Sequence, residues 1–358
     1  MSFLCCCFAK PPALEDEGGG VYRREEDQVG SFKRLRSWKK TPRLLDKYEL
    51  LEMIGEGKTG RVYRVMSVAP PSFEAAAKMV TKEYLHTPER QRAFAEELAI
   101  VQRVQHPSLL KVLDVYKESD KHVIVMERAF GGEVMETITS SRFLSERDVA
   151  WIIRELLTVV EYLHANGITH RDIKVDNILC RTTELRDGIV LIDFGLAHQG
   201  GGLGVHDMTG MNGTCHFMAP EMFGRESQYG CEIDLWAVGV VTYILLFGHY
   251  PFDARFMSQV EDKIVAGDYE FPPETAHKVS TQAIEFIEHL LVVNPLERPT
   301  ASDALSHPWM DLENCSTRKF SDPHMEQLRS FQDARRPPST HIKMNTPPIV
   351  PLSPTGSL

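Results

Sequence analysis

Short segments with alternating apolar and polar residues dominate the first part of the folded sequence. This alternation, with breaks between the segments, is typical of small antiparallel strands. The pattern predicts strands at 48–51, 61–65, 75–80, 109–115 and 123–126. Residues 88–104, between the third and fourth of these, repeat apolar residues with helical spacing, so we expect one helix there.

Helical periodicity takes over after Gly131 and Gly132. The segments that carry it are 133–139, 146–165, 232–248, 258–265, 280–291 and 301–310. A small sheet-rich part therefore precedes a larger helix-rich part, and we place the folded region at 47–310.

The two flanks differ from this region. Residues 1–46 start with a cysteine cluster and continue with acidic and glycine-containing runs and a basic stretch, so we expect a disordered segment. Residues 311–358 are polar and rich in proline, and we expect them to be mostly disordered as well.

Composition narrows the class of protein. Of the 358 residues, 42% are hydrophobic and 25% are charged, as in ordinary soluble globular proteins. The net charge of −10 argues against nucleic acid as a partner. The longest apolar run, Leu235 to Gly248, is too short to span a bilayer. Without a C-x-x-C pair or a signal sequence, the chain is expected in the reducing cytoplasm.

A G-x-G-x-x-G-x-V motif occupies residues 55–62. A dinucleotide-binding fold would need a helix directly after the glycines, whereas residues 62–65 alternate and predict a strand. The glycines then lie in a hairpin, where backbone N–H groups can approach phosphates. An ordinary tight turn is an equally good interpretation of this motif alone.

Lys78 lies inside an apolar strand and needs a partner charge. Glu97 on the following helix is the candidate, and its neighbour Glu96 is a rival. A solvated helix carboxylate is the alternative interpretation of Glu97.

Three further motifs carry the strongest chemical signal. In chain order they are His170-Arg171-Asp172 followed by Asn177, then Asp193-Phe194-Gly195, then Ala219-Pro220-Glu221. These motifs follow the glycine hairpin and the buried lysine along the chain. Together they indicate phosphoryl transfer, in which catalysis consists mainly of positioning and charge neutralisation.

On these motifs the chain resembles the eukaryotic protein kinase superfamily, from about Tyr48 to Met310. The resemblance implies an α+β, bilobed protein kinase fold. A small β-rich N-lobe would span 47–129, a larger α-helical C-lobe would span 130–310, and ATP would bind between them.

The resemblance also implies roles for individual residues. Asp172 would be the catalytic base, Lys174 would neutralise the transferring phosphoryl group, and Asn177 and Asp193 would ligate Mg²⁺. Lys78 would hold the α- and β-phosphates of ATP and pair with Glu97. The nucleotide site as a whole would comprise Gly55, Gly57, Gly60, Val62, Lys78, Glu97, the hinge residues Met126, Glu127 and Ala129, and Glu133.

Two structural residues belong to the same resemblance. Glu221 would form an ion pair with Arg298, and Asp234 would anchor the backbone of the catalytic loop. A helix N-terminal charge is the alternative interpretation of Asp234.

Lys174 and the Gly213-Thr214 pair are features of the serine/threonine type. Motifs such as Gly131-Gly132-Glu133 and His307-Pro308-Trp309 are similar to the calcium/calmodulin-dependent kinase group, and Gly167 to Asp172 is similar to protein serine kinase H within it. The chain departs from the family pattern at Val175-Asp176, at Cys215-His216 and in the glycine-rich stretch 200–204.

Protein substrates are the expected partners. In arginine-directed members of the superfamily, acidic residues at the positions of Glu133 and Asp176 bind an arginine three residues before the phosphorylated site, and both are acidic here. Ile244 is apolar, so a second upstream arginine should matter less. The sequence leaves two alternatives for the activation loop: regulation by phosphorylation, or basal activity without it. The usual acceptor position falls on Gly210, which has no hydroxyl, and the nearest hydroxyl is that of Thr209.

The tail segment from Leu328 to Arg336 is similar to the autoinhibitory helix of the calmodulin-dependent group, with Met325, Leu328 and Phe331 on one face. Calmodulin is therefore a possible partner, and a surface helix without a regulatory role is the alternative.

The N-terminus carries Cys5, Cys6 and Cys7 in a row, flanked by apolar residues, which favours S-palmitoylation. Ser2 excludes myristoylation. Further acyl chains or the basic stretch 33–43 could supply the second signal that stable membrane attachment needs. A soluble tail with a nuclear-import or solvated basic run is the alternative.

Three functions compete at this point. An active ATP- and Mg²⁺-dependent serine/threonine kinase fits best. A pseudokinase scaffold is disfavoured because Lys78, Asp172, Asn177 and Asp193 are all present. A nucleotide-dependent oxidoreductase lacks the helix that would have to follow the glycines.

Overall fold

A five-stranded antiparallel sheet forms the smaller lobe of the computed structural model, which describes residues 43–57, 59–141, 143–200, 215–224 and 229–335. The strands lie in the order β1-β2-β3-β5-β4. They are β1 (Tyr48–Gly57), β2 (Gly60–Ser67), β3 (Glu74–Thr81), β4 (Val112–Lys117) and β5 (Lys121–Met126). All five predicted strands are confirmed, although β4 begins later than expected because Leu109 pairs with Leu191 of the larger lobe.

The predicted helix of this lobe is α1 (Pro88–Arg103). It begins where the Thr87 side chain accepts a hydrogen bond from the Arg90 N–H, with a proline in the first turn. Its own residues Phe94 and Ile100 are buried. The helix thereby holds one face, which includes Glu97, against the sheet and the larger lobe.

Helices build the larger lobe. They are α2 (Val134–Ser140), α3 (Glu146–Ala165), α4 (Glu232–Phe247), α5 (Met257–Ala266), α6 (Pro273–Ala276), α7 (Thr281–Leu290), α8 (Ala301–Leu305) and α9 (Asp322–Arg335). The helix predicted at 301–310 stops at Leu305 and resumes as a short 3-10 turn, because the residue before Pro308 is disfavoured in the α conformation.

The apolar run from Leu235 to Gly248 is a buried helix, as predicted. Every residue of α4 from Ile233 to Phe247 is buried, and the helix ends at Gly248 with φ 73°. A glycine adopts this left-handed conformation without strain. Within the ranges that the structure describes, no helix is both long enough and apolar enough to cross a membrane.

Between the helices α3 and α4, the described residues form four short strands. They are β6 (Ile168–Thr169), β7 (Ile178–Cys180), β8 (Ile189–Leu191) and β9 (His198–Gln199). β6 pairs with β9 and β7 pairs with β8, both antiparallel. The loops that leave these small ribbons carry the residues with predicted chemical roles.

Within the residues that the structure describes, secondary structure extends beyond 47–310 on both sides. Residues 43–46, expected in the disordered segment, form a short turn whose Leu44 is only 2% exposed. Residues 311–335 were expected in the mostly disordered tail, and α9 packs there against α2 and α4. Its apolar face of Met325, Leu328 and Phe331 is buried, as the spacing predicted. The sequence around α9 is polar, so the segment has no apolar core of its own. Its apolar face is buried because α9 packs against the larger lobe. The cysteine cluster and most of the basic stretch lie outside the described residues.

Candidate active site

The loop between β6 and β7 brings three predicted catalytic residues together. The ammonium of Lys174 donates to Asp172 Oδ2 at 2.7 Å. The amide of Asn177 donates to the same oxygen at 2.9 Å and to the backbone carbonyl of Asp172 at 2.7 Å. Two donors therefore fix one oxygen of this carboxylate in place.

The second carboxylate oxygen of Asp172 has a different environment. Oδ1 is buried and accepts no hydrogen bond from any residue that the structure describes. A buried acceptor without a donor is costly, about 1–3 kcal/mol, and a catalytic role is one of the reasons for which native proteins keep such a group. The geometry leaves this oxygen ready to accept a proton or hydrogen bond from a bound molecule.

Asp234 anchors the backbone of this loop, as predicted. Its Oδ2 and Oδ1 accept the N–H groups of His170 and Arg171, both at 2.8 Å. Its Oδ2 also lies 2.8 Å from His164 Nε2. Burial acts to lower the pKa of His164, but the hydrogen bonds and charges of Asp234 and Cys231 together outweigh it and raise that pKa to about 9. The same contacts overcome burial in Asp234 and hold its pKa below the ordinary value.

Two residues of the site have strained backbones. Arg171 and Asp193 each have φ 67°, the only positive values among the non-glycine residues that the structure describes. Such conformations cost about 1–3 kcal/mol each and concentrate at functional sites. Arg171 directly precedes Asp172, and Asp193 itself has a predicted role in phosphoryl transfer.

Lys78 pairs with Glu97, which confirms the predicted partner. The ammonium lies 2.6 Å from Glu97 Oε1 and 3.8 Å from Asp193 Oδ1. Burial opposes the charge of Lys78, but these two carboxylates outweigh it and raise its pKa. The rival Glu96 lies instead 2.9 Å from Nδ1 of His198. The site therefore contains a charged lysine between two acidic groups.

The glycine motif forms the β1–β2 hairpin, as predicted. Gly55 lies opposite Val62 and Gly57 lies opposite Gly60 in the register of the two strands. A Cβ atom on Gly60 would come within 2.2 Å of the Met79 carbonyl oxygen on β3, so only glycine fits there. A strand follows the glycines, which removes the dinucleotide-fold interpretation.

Comparison with known proteins decides the family. The pattern of the protein kinase domain family matches residues 48–310. The chain is 36% identical over 286 residues to serine/threonine-protein kinase H1 homolog of Pinctada fucata, a match that covers 79% of this chain and 66% of the relative. It is 34% identical over 307 residues to human serine/threonine-protein kinase H2, covering 82% of this chain and 78% of that protein.

A third relative is the delta subunit of calcium/calmodulin-dependent protein kinase type II of Oryctolagus cuniculus. It is 35% identical over 268 residues, which is 75% of this chain and only 50% of that protein. The chain belongs to the protein kinase family. It resembles the serine/threonine kinases of the calmodulin-dependent group, and ATP and Mg²⁺ are the cofactors of this family.

The segment at the predicted kinase hinge follows β5. Met126 ends that strand opposite Ala76 of β3, and the Glu127 N–H donates to the Lys111 carbonyl at 2.9 Å. Ala129 follows in a segment that is neither helix nor strand and that leads to Glu133 at the start of α2. Burial and then the charge of Asp176 raise the pKa of Glu133, which places the two carboxylates within each other's field.

The predicted ion pair of the kinase C-lobe is present. Arg298 donates to both carboxylate oxygens of Glu221, at 2.7 and 3.0 Å. It also donates to the backbone carbonyls of Glu232 and Val292. Thr214, a feature of the serine/threonine type, and Thr209 lie outside the described residues.

Sequence reasoning missed three contacts of this kinase site. His164 supports Asp234, Glu96 binds β9, and Arg335 at the end of α9 forms an ion pair with Asp176. The guanidinium of Arg335 also acts on the Glu133 carboxylate and favours its charged form, and Gln332, one turn earlier, acts in the same direction. The Arg335-Arg336 pair at the end of the amphipathic tail segment was the sequence feature that could have indicated the contact with Asp176.

Proposed function

We propose that this protein transfers the γ-phosphate of ATP to serine and threonine hydroxyls of proteins, with Asp172 as the catalytic base. The observation that carries this proposal is the asymmetric environment of the Asp172 carboxylate. Lys174 and Asn177 hold Oδ2, while the buried Oδ1 is left to orient the substrate hydroxyl and take its proton. Lys174 would then also neutralise charge on the phosphoryl group.

The chemistry of the site suits magnesium. Asp193 and Asn177 offer a carboxylate and an amide oxygen, which are the hard ligands that Mg²⁺ prefers. The described residues contain no group of three or more His, Cys, Asp or Glu side chains that could hold a metal alone. That agrees with an ion bound by one or two side chains together with nucleotide phosphates and water. Bound Mg²⁺ would supply charge neutralisation at the phosphates.

The nucleotide would bind between the hairpin and the hinge. Gly55, Gly57 and Gly60 would let backbone N–H groups approach the phosphates, with Val62 behind them. Lys78 is held toward Asp193 by its ion pair with Glu97, which suits a phosphate contact. The backbone of Glu127 and Ala129 would read adenine, with Met126 as gatekeeper.

We further propose that substrates carry an arginine three residues before the phosphorylated site. Glu133 and Asp176 already surround one guanidinium, that of Arg335, which supports their affinity for arginine. Carboxylate pairs select arginine over lysine because the guanidinium binds in a bidentate way. Ile244 is fully buried, so it offers nothing to a second upstream arginine.

Peptide phosphorylation tests this specificity. Peptides with arginine, lysine or alanine at the third upstream position should differ, with KM rising about tenfold or more when arginine is removed. Asp176→Asn should remove most of this preference, whereas Glu313→Gln, an exposed carboxylate beside Arg147, should leave it unchanged. A preference for proline or for acidic residues around the site would contradict the proposal.

We propose two interactions beyond the substrate. The contact of Arg335 with Asp176 supports a regulatory role for α9, and calmodulin is the partner to test, by adding it with calcium to the kinase assay.

Cys5, Cys6 and Cys7 would be S-palmitoylated and attach the protein to membranes. Cell fractionation checks this, since a Cys5, Cys6, Cys7→Ser variant should move to the soluble fraction. Wild-type protein found only in cytosol, without a hydroxylamine-sensitive acyl group, would contradict it.

A further inference from the structure

Two neighbouring glutamates on α1 contact different parts of the molecule. Glu97 binds Lys78 on β3, while Glu96 binds β9, the strand that follows Asp193-Phe194-Gly195. Consecutive residues of an α-helix project about 100° apart, as 3.6 residues per turn requires. A single orientation of α1 therefore satisfies both contacts.

The contact between Glu96 and β9 has two parts. Glu96 Oε1 lies 2.9 Å from Nδ1 of His198 and accepts the backbone N–H of Gln199 at 3.2 Å. The side chains of Glu96 and His198 are 39% and 33% exposed, so the pair is only partly desolvated. The backbone hydrogen bond adds a geometric constraint that a pair of surface charges would lack.

β9 connects this contact to the catalytic loop. His198 and Gln199 pair with Thr169 and Ile168 of β6, and β6 leads directly into His170-Arg171-Asp172. Burial lowers the pKa of the Arg171 guanidinium, and the charges of Asp234 and Glu96 act in the opposite direction. The carboxylate of Glu96 therefore lies within the electrostatic field of Arg171 as well as against His198.

Among the described residues, apolar contacts attach α1 to the larger lobe only near its C-terminal end. At its C-terminal end, Ile100 is fully buried and the following Val104 nearly so, both in the core of the larger lobe. These apolar contacts hold the end of the helix. Glu96 adds a polar attachment one turn before Ile100, beside the residue that orients Lys78.

We propose that Glu96 is a positioning residue for phosphoryl transfer, holding α1 on β9 so that Glu97 stays on Lys78 without a phosphate on the activation segment. The inference rests on the proposed kinase activity. Arg171 is the arginine that can receive such a phosphate in this superfamily. Between 200 and 214 the hydroxyls are Thr209 and Thr214, and Thr209 is one residue away from the usual acceptor position. The carboxylate of Glu96, in contact with His198, supplies negative charge there without phosphorylation.

Kinetics and hydrogen exchange on the full chain test this role together. Glu96→Ala should lower kcat about tenfold, as expected for a lost hydrogen bond to a charged group, with the KM for peptide unchanged. Glu96→Gln keeps an acceptor for the Gln199 N–H and should retain an intermediate kcat. His198→Ala should lower kcat in wild type but not further in Glu96→Ala. Amide exchange in α1 and β9 should be faster in Glu96→Ala.

Matched controls separate positioning from general destabilisation. Glu89→Gln removes an exposed carboxylate from the first turn of the same helix and should change neither kcat nor exchange. Thr209→Ala and phosphatase treatment should leave wild-type activity unchanged. The Glu96→Ala variant should lose kcat while its melting temperature stays near that of Glu89→Gln.

Several results would overturn the proposal. An unchanged kcat in Glu96→Ala, a lower kcat without faster exchange in α1 and β9, or a loss of activity in Thr209→Ala would each do so. If the wild-type chain transferred no phosphate, the proposed function would fail, and unchanged exchange in Glu96→Ala would separately refute the attachment of α1 by Glu96.

Discussion

Arg335, the last residue of α9, forms an ion pair with Asp176, which lies between Lys174 and Asn177 in the catalytic loop. The side chain of Arg335 is 14% exposed and that of Asp176 is 42% exposed, so the contact is partly shielded from water. A segment of the protein's own chain thus occupies the carboxylates to which we assign the substrate arginine. Substrate and α9 would compete for the same acidic groups.

Replacing Arg335 tests this competition. Arg335→Ala should raise kcat/KM for arginine-containing peptides about threefold to tenfold, because a charge-assisted hydrogen bond no longer has to be displaced. Arg329→Ala on the same helix removes a more exposed arginine that contacts Glu326 and should have little effect. Peptides that lack the upstream arginine should gain less. Equal kcat/KM in both variants would refute the competition.

The glycine hairpin offers a matched pair of substitutions. Gly60→Ala should destabilise the N-lobe by about 1–3 kcal/mol and raise the KM for ATP, because its Cβ would clash with the Met79 carbonyl oxygen. Gly55→Ala meets only the Val62 side chain, at 3.7 Å, and should leave the melting temperature nearly unchanged. Thermal unfolding of both variants measures the difference, and equal melting temperatures would contradict the close approach seen at Gly60.

The His164–Asp234 pair predicts how stability depends on pH. The pKa of His164 is about 9 in the folded protein and 6.5 without perturbation. The folded state therefore binds the proton more tightly, so the contribution of His164 is fully present below pH 6.5 and is lost as pH rises toward 9. The free energy of unfolding should fall over this window in wild type and fall less in His164→Gln. Urea unfolding across the window measures it, and parallel pH curves would refute the assignment.

Lys78 and Asp193 should be needed for activity more than for folding. Lys78→Met and Asp193→Asn should each lower kcat/KM by about a hundredfold or more, since each removes a charge placed for phosphate or Mg²⁺. Neither side chain belongs to the apolar clusters of the described residues, so both variants should remain folded by circular dichroism. Phosphorylation of a peptide at the wild-type rate by either variant would remove these residues from the site.

Local sequence patterns were enough to predict most of the fold. Alternation predicted the strands of the sheet because one face of each is buried, and the apolar run of α4 predicted a buried helix. The same reasoning failed at Leu44 and in α9, where burial depends on surfaces that are distant in sequence. The apolar spacing of α9 was visible in the sequence, but its contact with α2 and α4 was not.

The site shows the same division between local and distant information. The resemblance to the kinase family correctly paired Lys78 with Glu97, and Glu221 with Arg298. The partner of Glu96 could not be predicted because β9 lies about a hundred residues away and His198 belongs to none of the motifs. The role of His164 could not be predicted either, because no local sequence pattern indicates that a histidine on α3 contacts Asp234, 70 residues away.

Transfer of labelled γ-phosphate to a peptide tests the central claim most directly. The purified wild-type chain with ATP and Mg²⁺ should label a peptide that has a serine three residues after an arginine. Asp172→Asn keeps the size of the side chain and should lower the rate about a thousandfold or more, with the melting temperature near that of wild type. A wild-type protein that transfers no phosphate, or an Asp172→Asn variant that transfers it at the wild-type rate, would contradict the account.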